Sequence, residues 1–374
     1  MPSEKAEGIE TVKLCEALAR KAEVLLVYPA RRNSIEASIY DYYSVVENFK
    51  SLKMPVLDLS FISGSKLFFY IEILSFAFIS TIYSFFAIGS EDVIFTHDPY
   101  LAFILSLFRK NVVFDMHDFP RSHVGHHKKL FKRLLGITTT NRWKKNKLIQ
   151  DFGVPAEKVM SQPNGVDIDE FSINHNRLQV RKDLNLPNNS VVIEYVGMLR
   201  TMGMKKGLDT LFDALKLLPE NIVVLLVGGS RADIDYYTIL AKDLAIEKRV
   251  FFAGWVRHSD IPAYLRVADV LVAPFPKNEH YDHYMCPMKV IEYMASGRPM
   301  VVSDLESIRE IVDENTAYFF KPEDANALAR SISETVGSQD KSNKKAEAAF
   351  ERSKIFSWNE RALKITDFLS AISK

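Results

Sequence analysis

Short apolar segments alternate with amphipathic segments along most of the chain. The apolar segments are rich in Val and Ile, and most lack the alternation of polar and apolar residues that a half-exposed strand shows. Such segments are typical of parallel strands that are covered on both faces. They are VLLVYP (24–29), VIFTH (93–97), NVVFDMHD (111–118), SVVIEYVG (190–197), IVVLLVGG (222–229), VFFAGWV (250–256), VLVAPF (270–275) and PMVVSD (299–304).

Segments with helical spacing lie between the apolar ones, for example GLDTLFDALKLLP (207–219) and PMKVIEYMASG (287–297). Strand and helix therefore alternate, which predicts an α/β fold with right-handed crossover connections. The chain has 374 residues, whereas single hydrophobic cores stop growing near about 250–300 residues. We therefore expect two doubly wound domains, with a polar linker at 172–190 and a boundary near residue 185.

Composition and charge exclude several classes of protein. Lys plus Arg number 48 and Asp plus Glu number 47, and the net charge of +1 gives no field that would gather nucleic acid. The two cysteines, Cys15 and Cys286, are too few for a disulfide framework or a four-thiolate zinc site. The N-terminus is polar and acidic, unlike a secretory signal. We expect a folded cytoplasmic protein that does not bind nucleic acid.

A loop in the second half carries groups that suit an anionic ligand. A buried strand ends at Gly197, the loop that follows holds Arg200, Lys205 and Lys206, and Gly207 opens an amphipathic helix. Free backbone amides and cationic side chains converge at such a helix start, so a diphosphate would fit there. The alternative is a solvated basic loop.

A second helix start lies in HYMCPMKVIEYMASG (283–297). Pro287 begins the helix, and Lys289 and Glu292 are three residues apart on one face of it. A carboxylate at this place can accept hydrogen bonds from both hydroxyls of a ribose, while the ammonium and the first amides meet phosphate. The alternative is an ordinary ion pair on the surface.

Together these stretches resemble the retaining glycosyltransferases of family 4, which have the GT-B fold. The motifs that carry the resemblance are PNGVD (163–167), VG (196–197) with KG (206–207), GW (254–255) and P-x-K-x-x-E-Y-M-A-x-G-x-P (287–299). The resemblance covers most of the chain and implies two Rossmann-like domains that face a central cleft. It places the acceptor side in residues 1–185, completed by a C-terminal helix at 355–374, and the nucleotide sugar in residues 186–354.

The resemblance also implies which residues bind the donor. Arg200 and Lys206 match the cationic pair that holds the diphosphate, Glu292 matches the carboxylate that binds the ribose, and Val256 matches the backbone position at the nucleobase. The implied donor-binding set is Gly197, Arg200, Lys206, Val256, Pro287, Met288, Lys289 and Glu292. The implied reaction moves a hexosyl or N-acetylhexosaminyl group from a nucleotide sugar, UDP favoured over GDP, to a glycan or lipid-linked glycan. Retention, no metal and no cofactor are implied as well.

In the first half, THDPY (96–100) and DMHDFP (115–120) each follow a predicted strand. We expect His97, His117 and Asp118 at the mouth of the cleft, and the second stretch resembles the family's histidine near the transferred sugar. A histidine with a pKa near neutrality suits proton exchange with the reacting oxygens, so His117 and Asp118 are the expected catalytic residues. A structural role at a strand end is the alternative for each histidine.

Two positions depart from the family pattern. The first glutamate of the E-x7-E motif would fall where Tyr284 stands, and PARRN (29–33) replaces the glycine pair after the first strand. We expect Tyr284, Arg31 and Arg32 in the cleft, since guanidinium groups hold phosphate well. Two other functions stay open. One is a non-catalytic nucleotide-sugar-binding partner of an active transferase, which Tyr284 motivates, and the other is a nucleotide-sugar epimerase of the same fold.

Two stretches of the first half favour contact with a membrane. Residues 73–89 carry no charge and approach the length of a spanning helix, and a buried helix and a helix lying on the membrane surface are the alternatives. Residues 121–147 hold nine Lys or Arg and no Asp or Glu, which suits anionic headgroups or the phosphate of a lipid-linked acceptor. Solvated helix faces are the alternative, and the same cations oppose a zinc site at the histidines of 123–127. We expect peripheral contact with the inner face of the membrane through 68–89 and 121–147.

Overall fold

The structure, a computed structural model, describes residues 1–3, 6–33, 35–59, 66–120, 124–172, 176–201 and 203–373, apart from the side chains of Ala6 and Val124. The chain divides into two compact units, Met1–Gly165 with Trp358–Lys374, and Val166–Ser357. The main sheets of both units are parallel, with helices between successive strands. The α/β class with two Rossmann-like domains is therefore confirmed.

The first unit contains a two-stranded parallel sheet, β1–β2, and a four-stranded parallel sheet in the order β3–β4–β5–β6. All five residues of β4 are buried, as a strand covered on both faces requires. The strands are β1 (Leu25–Pro29), β2 (Lys50–Met54), β3 (Ile94–Thr96), β4 (Val112–Met116), β5 (Gly136–Thr139) and β6 (Val159–Ser161). The helices are α1 (Ala6–Leu18), α2 (Ile39–Tyr43), α3 (Lys66–Ala87), α4 (Pro99–Phe108), α5 (Val124–Arg133) and α6 (Arg142–Phe152).

The second unit is built on a six-stranded parallel sheet in the order β11–β10–β7–β12–β13–β14. Alternate residues of these strands enter two hydrophobic cores, so helices cover both faces. The strands are β7 (Val191–Val196), β8 (Arg200–Thr201), β9 (Met204–Lys205), β10 (Ile222–Val227), β11 (Val250–Gly254), β12 (Val270–Ala273), β13 (Met300–Ser303) and β14 (Tyr318–Phe320), of which β8 and β9 form a separate antiparallel hairpin. The helices are α7 (Ile168–Ser172), α8 (Arg177–Asp183), α9 (Leu208–Lys216), α10 (Arg231–Asp243), α11 (Ile261–Leu265), α12 (Met288–Ala295), α13 (Glu306–Arg309), α14 (Ala325–Gly337) and α15 (Gln339–Ser353).

The division between the units differs from the predicted boundary near residue 185. The described part of the predicted linker lies in the second unit and contains α8, whose Arg177 forms an ion pair with Asp269 at 2.5 Å. Polar side chains dominate α8, so its sequence has the composition of a linker although tertiary contacts hold it. After residue 357 the chain returns to the first unit as α16 (Trp358–Ile372), where the Arg361 side chain is fully buried.

Candidate functional site

The predicted donor-binding residues of the second unit follow the carboxyl ends of its central strands. The strand order reverses between β7 and β12, which are hydrogen-bonded neighbours in the sheet. In open α/β sheets, ligands bind outside the carboxyl ends of the strands at such a reversal. Gly197 follows β7, and Pro287, Met288 and Lys289 form the start of α12. The topology therefore places these residues where this fold class forms a binding site.

Lys289 places a buried ammonium group beside the end of β7. Its Nζ lies 3.6 Å from the centre of the Tyr195 ring and 5.2 Å from that of Phe275. Gly197 adopts a φ of +122°, and a side chain there would bring its Cβ within 3.1 Å of this Nζ. Burial lowers the pKa of Lys289 well below its usual value, the charge of Lys206 adds to this, and Glu292 opposes it.

Lys206 brings a second ammonium group to the same place. Its Nζ lies 5.0 Å from the ring centre of Tyr281 and 5.7 Å from that of Phe275, and burial lowers its pKa to about 8. Gly207 follows with a φ of +80°, and an added Cβ would lie 1.6 Å from the carbonyl oxygen of Pro274, so only glycine fits before α9.

Within the part of the chain that the structure describes, neither Lys206 nor Lys289 has a carboxylate partner. Among the residues that the structure describes, neither forms an ion pair within 4.0 Å, and Lys289 Nζ is buried without a hydrogen-bond partner. The aromatic rings around them supply only cation–π attraction. A bound anion would supply the partner that both lysines lack among the described residues and would favour their charged forms.

Glu292 lies one turn after Lys289 on α12 and is buried. Its Oε1 accepts a hydrogen bond from His258 Nε2 at 2.9 Å, and the His258 ring packs against Phe171 with 5.8 Å between ring centres. The carboxylate is therefore held in one position, with its second oxygen left to accept from a ligand hydroxyl. His258 was not predicted from the sequence, because 34 residues separate it from Glu292.

Arg200 is placed differently from Lys206, with which the sequence paired it. Its Nε donates to Asp233 Oδ1 at 2.5 Å, and its guanidinium lies 4.8 Å from the ring centre of Tyr236. Asp233 also closes the capping box of α10 with Ser230. A carboxylate therefore already neutralises Arg200, and an anionic ligand would have to compete for it.

Tyr284, which stands where the family motif has its first glutamate, forms a hydrogen bond with a nearby carboxylate. It ends a π-helical turn, His280–Tyr284, and its hydroxyl donates to Glu279 Oε1. Glu279 is exposed, whereas Asp282 accepts from the backbone amide of Glu306 at 2.9 Å and thereby caps α13. Of these two nearby carboxylates, Glu279 is the one held by Tyr284.

Val256 and Met288 complete the predicted donor set. Val256 is half-buried two residues after β11 and packs against one of the hydrophobic cores. Met288 is half-buried, and its backbone amide donates to Cys286 O at 2.9 Å. These two positions can therefore offer a ligand backbone and apolar contacts.

In the first unit, His117 belongs to a charged network at the end of β4. Its Nε2 lies 3.0 Å from Asp115 Oδ2 and its Nδ1 3.1 Å from Glu10 Oε2. Asp115 also receives Arg361 at 3.1 Å and the Thr138 hydroxyl at 2.5 Å. The interaction with Arg361 and then with His117 overcomes burial and lowers the pKa of Asp115 below its usual value.

The same network sets the charge of His117. Burial by itself lowers the pKa of His117, but Asp115 and then Glu10 outweigh it and raise the pKa to about 10. The expectation of a pKa near neutrality is therefore wrong, because two carboxylates flank the ring. The raised pKa favours the imidazolium form of His117 at neutral pH, which donates protons in hydrogen bonds.

The other predicted residues of the first unit have their own partners. His97 Nε2 lies 2.8 Å from Glu7 Oε1, and its ring centre is 6.1 Å from that of His117. Asp118 is exposed. Arg31 forms an ion pair with Glu72, and the backbone amide of Arg32 donates to Asp58 Oδ2 at 2.8 Å. The charge of Arg31 is thus already paired with a carboxylate, so a phosphate would have to compete with Glu72 for it.

The described residues contain no group of three or more His, Cys, Asp or Glu that could hold a metal ion. Of the histidines at 123–127, His123 lies outside the described residues. Independence from metal and cofactor stays a prediction.

Comparison with known proteins supports the fold and the resemblance of part of the chain to glycosyltransferases. Residues 190–338 match the family model described as "Glycosyl transferases group 1". An uncharacterized glycosyltransferase of Methanocaldococcus jannaschii is 27% identical over 52% of this chain and 48% of its own length. The amylovoran biosynthesis glycosyltransferase AmsK of Erwinia amylovora is 28% identical over 58% and 52%, respectively. The matches thus span about half the length of these relatives.

Among solved structures, Anabaena HepE in complex with UDP aligns with a TM-score of 0.73 and 17% identity, over 99% of this chain and 98% of that one. At this identity the alignment establishes the fold. The GT-B fold is therefore confirmed, and the resemblance to glycosyltransferases is confirmed for the stretch that the family model matches.

Proposed function

We propose that the chain is a glycosyltransferase that takes a hexosyl or N-acetylhexosaminyl group from a nucleotide sugar and transfers it, with retention, to a glycan or lipid-linked glycan. The observation that carries this proposal is the pair of amino groups of Lys206, which is half-buried, and Lys289, whose Nζ is buried; both lie beside aromatic rings and neither has an ion pair among the described residues. The family match of residues 190–338 surrounds both lysines.

The lysines would act on the leaving group. As the bond between sugar and diphosphate breaks, negative charge grows on the departing nucleoside diphosphate. Fixed cations in a desolvated site stabilise such charge without having to reorganise. Their effect would be greater than that of exposed lysines because burial reduces dielectric screening. No metal ion is needed for this role.

Glu292 would recognise the ribose of the same nucleotide. The hydrogen bond from His258 fixes one carboxylate oxygen, and the other can accept from vicinal hydroxyls, each bond being charge-assisted. The UDP bound by the Anabaena protein makes a uridine nucleotide the first donor to test. A guanosine nucleotide is the second.

In the first unit we keep His117 as the residue proposed to contact the sugar or the acceptor. Its raised pKa changes its proposed role to that of a cationic hydrogen-bond donor. Asp118 and His97 stay proposals for the same region.

Tyr284 favours a second candidate, a nucleotide-sugar-binding protein without transferase activity, since a phenol cannot carry the negative charge of a carboxylate. The bond between Tyr284 and Glu279 opposes this candidate, because it holds a carboxylate next to the tyrosine.

The testing experiment combines binding and turnover. Purified protein is titrated with UDP- and GDP-sugars by calorimetry, and each bound donor is then incubated with glycan and lipid-linked acceptors. Release of nucleoside diphosphate that depends on an acceptor supports transfer. Binding without release over the whole panel supports the non-catalytic candidate, and a changed sugar without acceptor supports an epimerase.

A further inference from the structure

The long apolar helix α3 turns its polar face inward and its apolar face outward. Its buried residues include Glu72, Ser80, Thr81 and Ser84. The hydroxyls of Thr81 and Ser84 donate to backbone carbonyls of the same helix, at 2.7 Å each. Ile73 and Ala77 are also buried, but most large apolar side chains of α3 are exposed, whereas in a helix of a soluble protein they face the core.

The outward face of α3 continues onto α4. Tyr70 and Tyr100, near the starts of the two helices, have ring centres 5.9 Å apart, and so have Phe85 and Phe108 near their ends. The two helices therefore lie side by side and share one surface, which we call the apolar face. Its exposed members are Leu67, Phe69, Tyr70, Leu74, Phe78, Ile82, Phe85 and Phe86 on α3, and Tyr100, Phe103, Leu107 and Phe108 on α4.

An apolar groove extends this face toward strand β2. It is lined by apolar side chains of β2 and of the second half of α3, among them Leu52, Met54, Ile79 and Phe86. Contiguous exposed apolar surface of this extent marks a site for a protein partner or a membrane.

Basic residues lie beside the apolar face. Helix α5 packs against α4, and its Lys128, Lys129, Lys132 and Arg133 are all exposed. Within α3, α4 and α5 the only acidic residue is Glu72, which is buried and paired with Arg31. Glu91 and Asp92 are exposed in the turn after α3. The flank formed by α5 is thus positive, which is complementary to an anionic surface.

We propose that the apolar face docks on an anionic lipid bilayer, with α3 and α4 lying at the interface and α5 against the headgroups. Aromatic side chains, which are abundant on this face, are favoured at membrane interfaces. The inference goes beyond sugar transfer and does not depend on it. It agrees with a lipid-linked acceptor but would hold for a soluble one.

The packing of α3 opposes a transmembrane arrangement. The helix has 22 residues and is apolar enough to cross a bilayer. Its inner face, however, carries the Glu72–Arg31 pair and contacts Met54 of β2 through Ser80. A span would expose these polar groups to lipid, at a cost of several kcal/mol each.

The test is flotation of the full chain with vesicles of phosphatidylcholine alone or with 30 mol% phosphatidylglycerol. The double variant F78S/F86S alters residues that are 64% and 89% exposed, so it leaves no cavity in the core. I239S, at an exposed isoleucine of α10, is the matched control. We expect binding to anionic vesicles, a loss of tenfold or more in F78S/F86S, and no change in I239S.

The contribution of the positive charge of α5 to vesicle binding is tested with the triple variant K128Q/K129Q/K132Q. Each cation near an anionic surface contributes roughly fivefold to the partition coefficient, so we expect this variant to lose tenfold or more at low salt. Equal partition of wild type and both variants, or no binding of the wild type, would overturn the proposal. A dimer that dissociates in F78S/F86S without vesicle binding would assign the face to a second copy of the chain. Nucleotide binding by F78S/F86S should match wild type, which separates this test from that of the donor site.

Discussion

Diphosphate binding should be accompanied by proton uptake, because both lysines of the candidate site have a lowered pKa. With a pKa of about 8, Lys206 is about 10% neutral at pH 7, about 50% at pH 8 and about 90% at pH 9. A bound diphosphate favours the charged form and raises the pKa. Lys206 alone should then take up about 0.1, 0.5 and 0.9 proton at these three pH values. Lys289, whose pKa is lowered as well, adds to the uptake.

The same linkage predicts how affinity depends on pH. From pH 7 to pH 9 the Kd for a nucleoside diphosphate should rise about tenfold from Lys206 alone, because binding must then restore a proton that the free protein has lost. The ligand contributes little, since the second pKa of a phosphate is about 6. Affinity should therefore be highest on the acidic side of this window.

The assay is calorimetry with UDP in two buffers of different ionisation enthalpy at pH 8. The difference between the two heats gives the protons taken up. The variant K206M should lose about 0.5 proton of uptake. K205M is the matched control, since the neighbouring Lys205 is exposed and paired with Asp209 at 3.1 Å. Bound UDP with equal heats in both buffers, or a Kd that is flat from pH 7 to 9, would refute the reasoning.

Three further predictions concern other groups. The carboxylate of Glu194 is fully buried and has no hydrogen-bond partner among the described residues, and burial raises its pKa. The free energy of unfolding should therefore fall as pH rises above about 4.3, and E194Q should remove up to about 1.4 kcal/mol per pH unit of this slope in urea denaturation. D115N should lower the free energy of unfolding by about 3–5 kcal/mol in thermal unfolding, because it leaves Arg361 buried without its carboxylate. The same variant should lower the pKa of His117, measured by NMR, below 10, because Asp115 is the main group that raises it. E279Q and Y284F should each slow transfer about tenfold and leave the Kd for the donor unchanged, because each removes a hydrogen bond to a charged group, which contributes about 1.5–3 kcal/mol. Full transfer activity in both variants would exclude a role for this pair.

The parts of the fold that were predictable are those whose strands are apolar on both faces. The strands of IVVLLVGG and VLVAPF were predicted because every residue of β10 and β12 is buried. Strands β2 and β5 were missed for opposite reasons. Three of the five residues of β2 (KSLKM) are lysine or serine, and three are exposed. In β5, Thr138 is buried, and its hydroxyl donates a hydrogen bond to Asp115. The polarity of the threonine side chain does not predict this buried contact.

In the candidate site, as in the fold, only features with a local sequence signature could be predicted. Lys206 and Lys289 were named as candidates because each lies at a helix start that has a local signature, and Glu292 because it follows Lys289 by three residues in the motif that resembles the family. The partners His258 and Asp233 come from other elements, 34 and 33 residues away from the groups they bind. The charge state of His117 likewise depends on Glu10 and Asp115 together. Such contacts are set by tertiary packing, and short sequence motifs do not record them.

The most direct test of the donor site is the affinity of folded protein for UDP- and GDP-sugars, measured by calorimetry for wild type and E292A. The account predicts measurable binding of at least one of these donors and a loss of about tenfold or more in E292A, since a charge-assisted hydrogen bond contributes about 1.5–3 kcal/mol. A wild type that binds none of them, or an E292A variant with an unchanged dissociation constant, would contradict it.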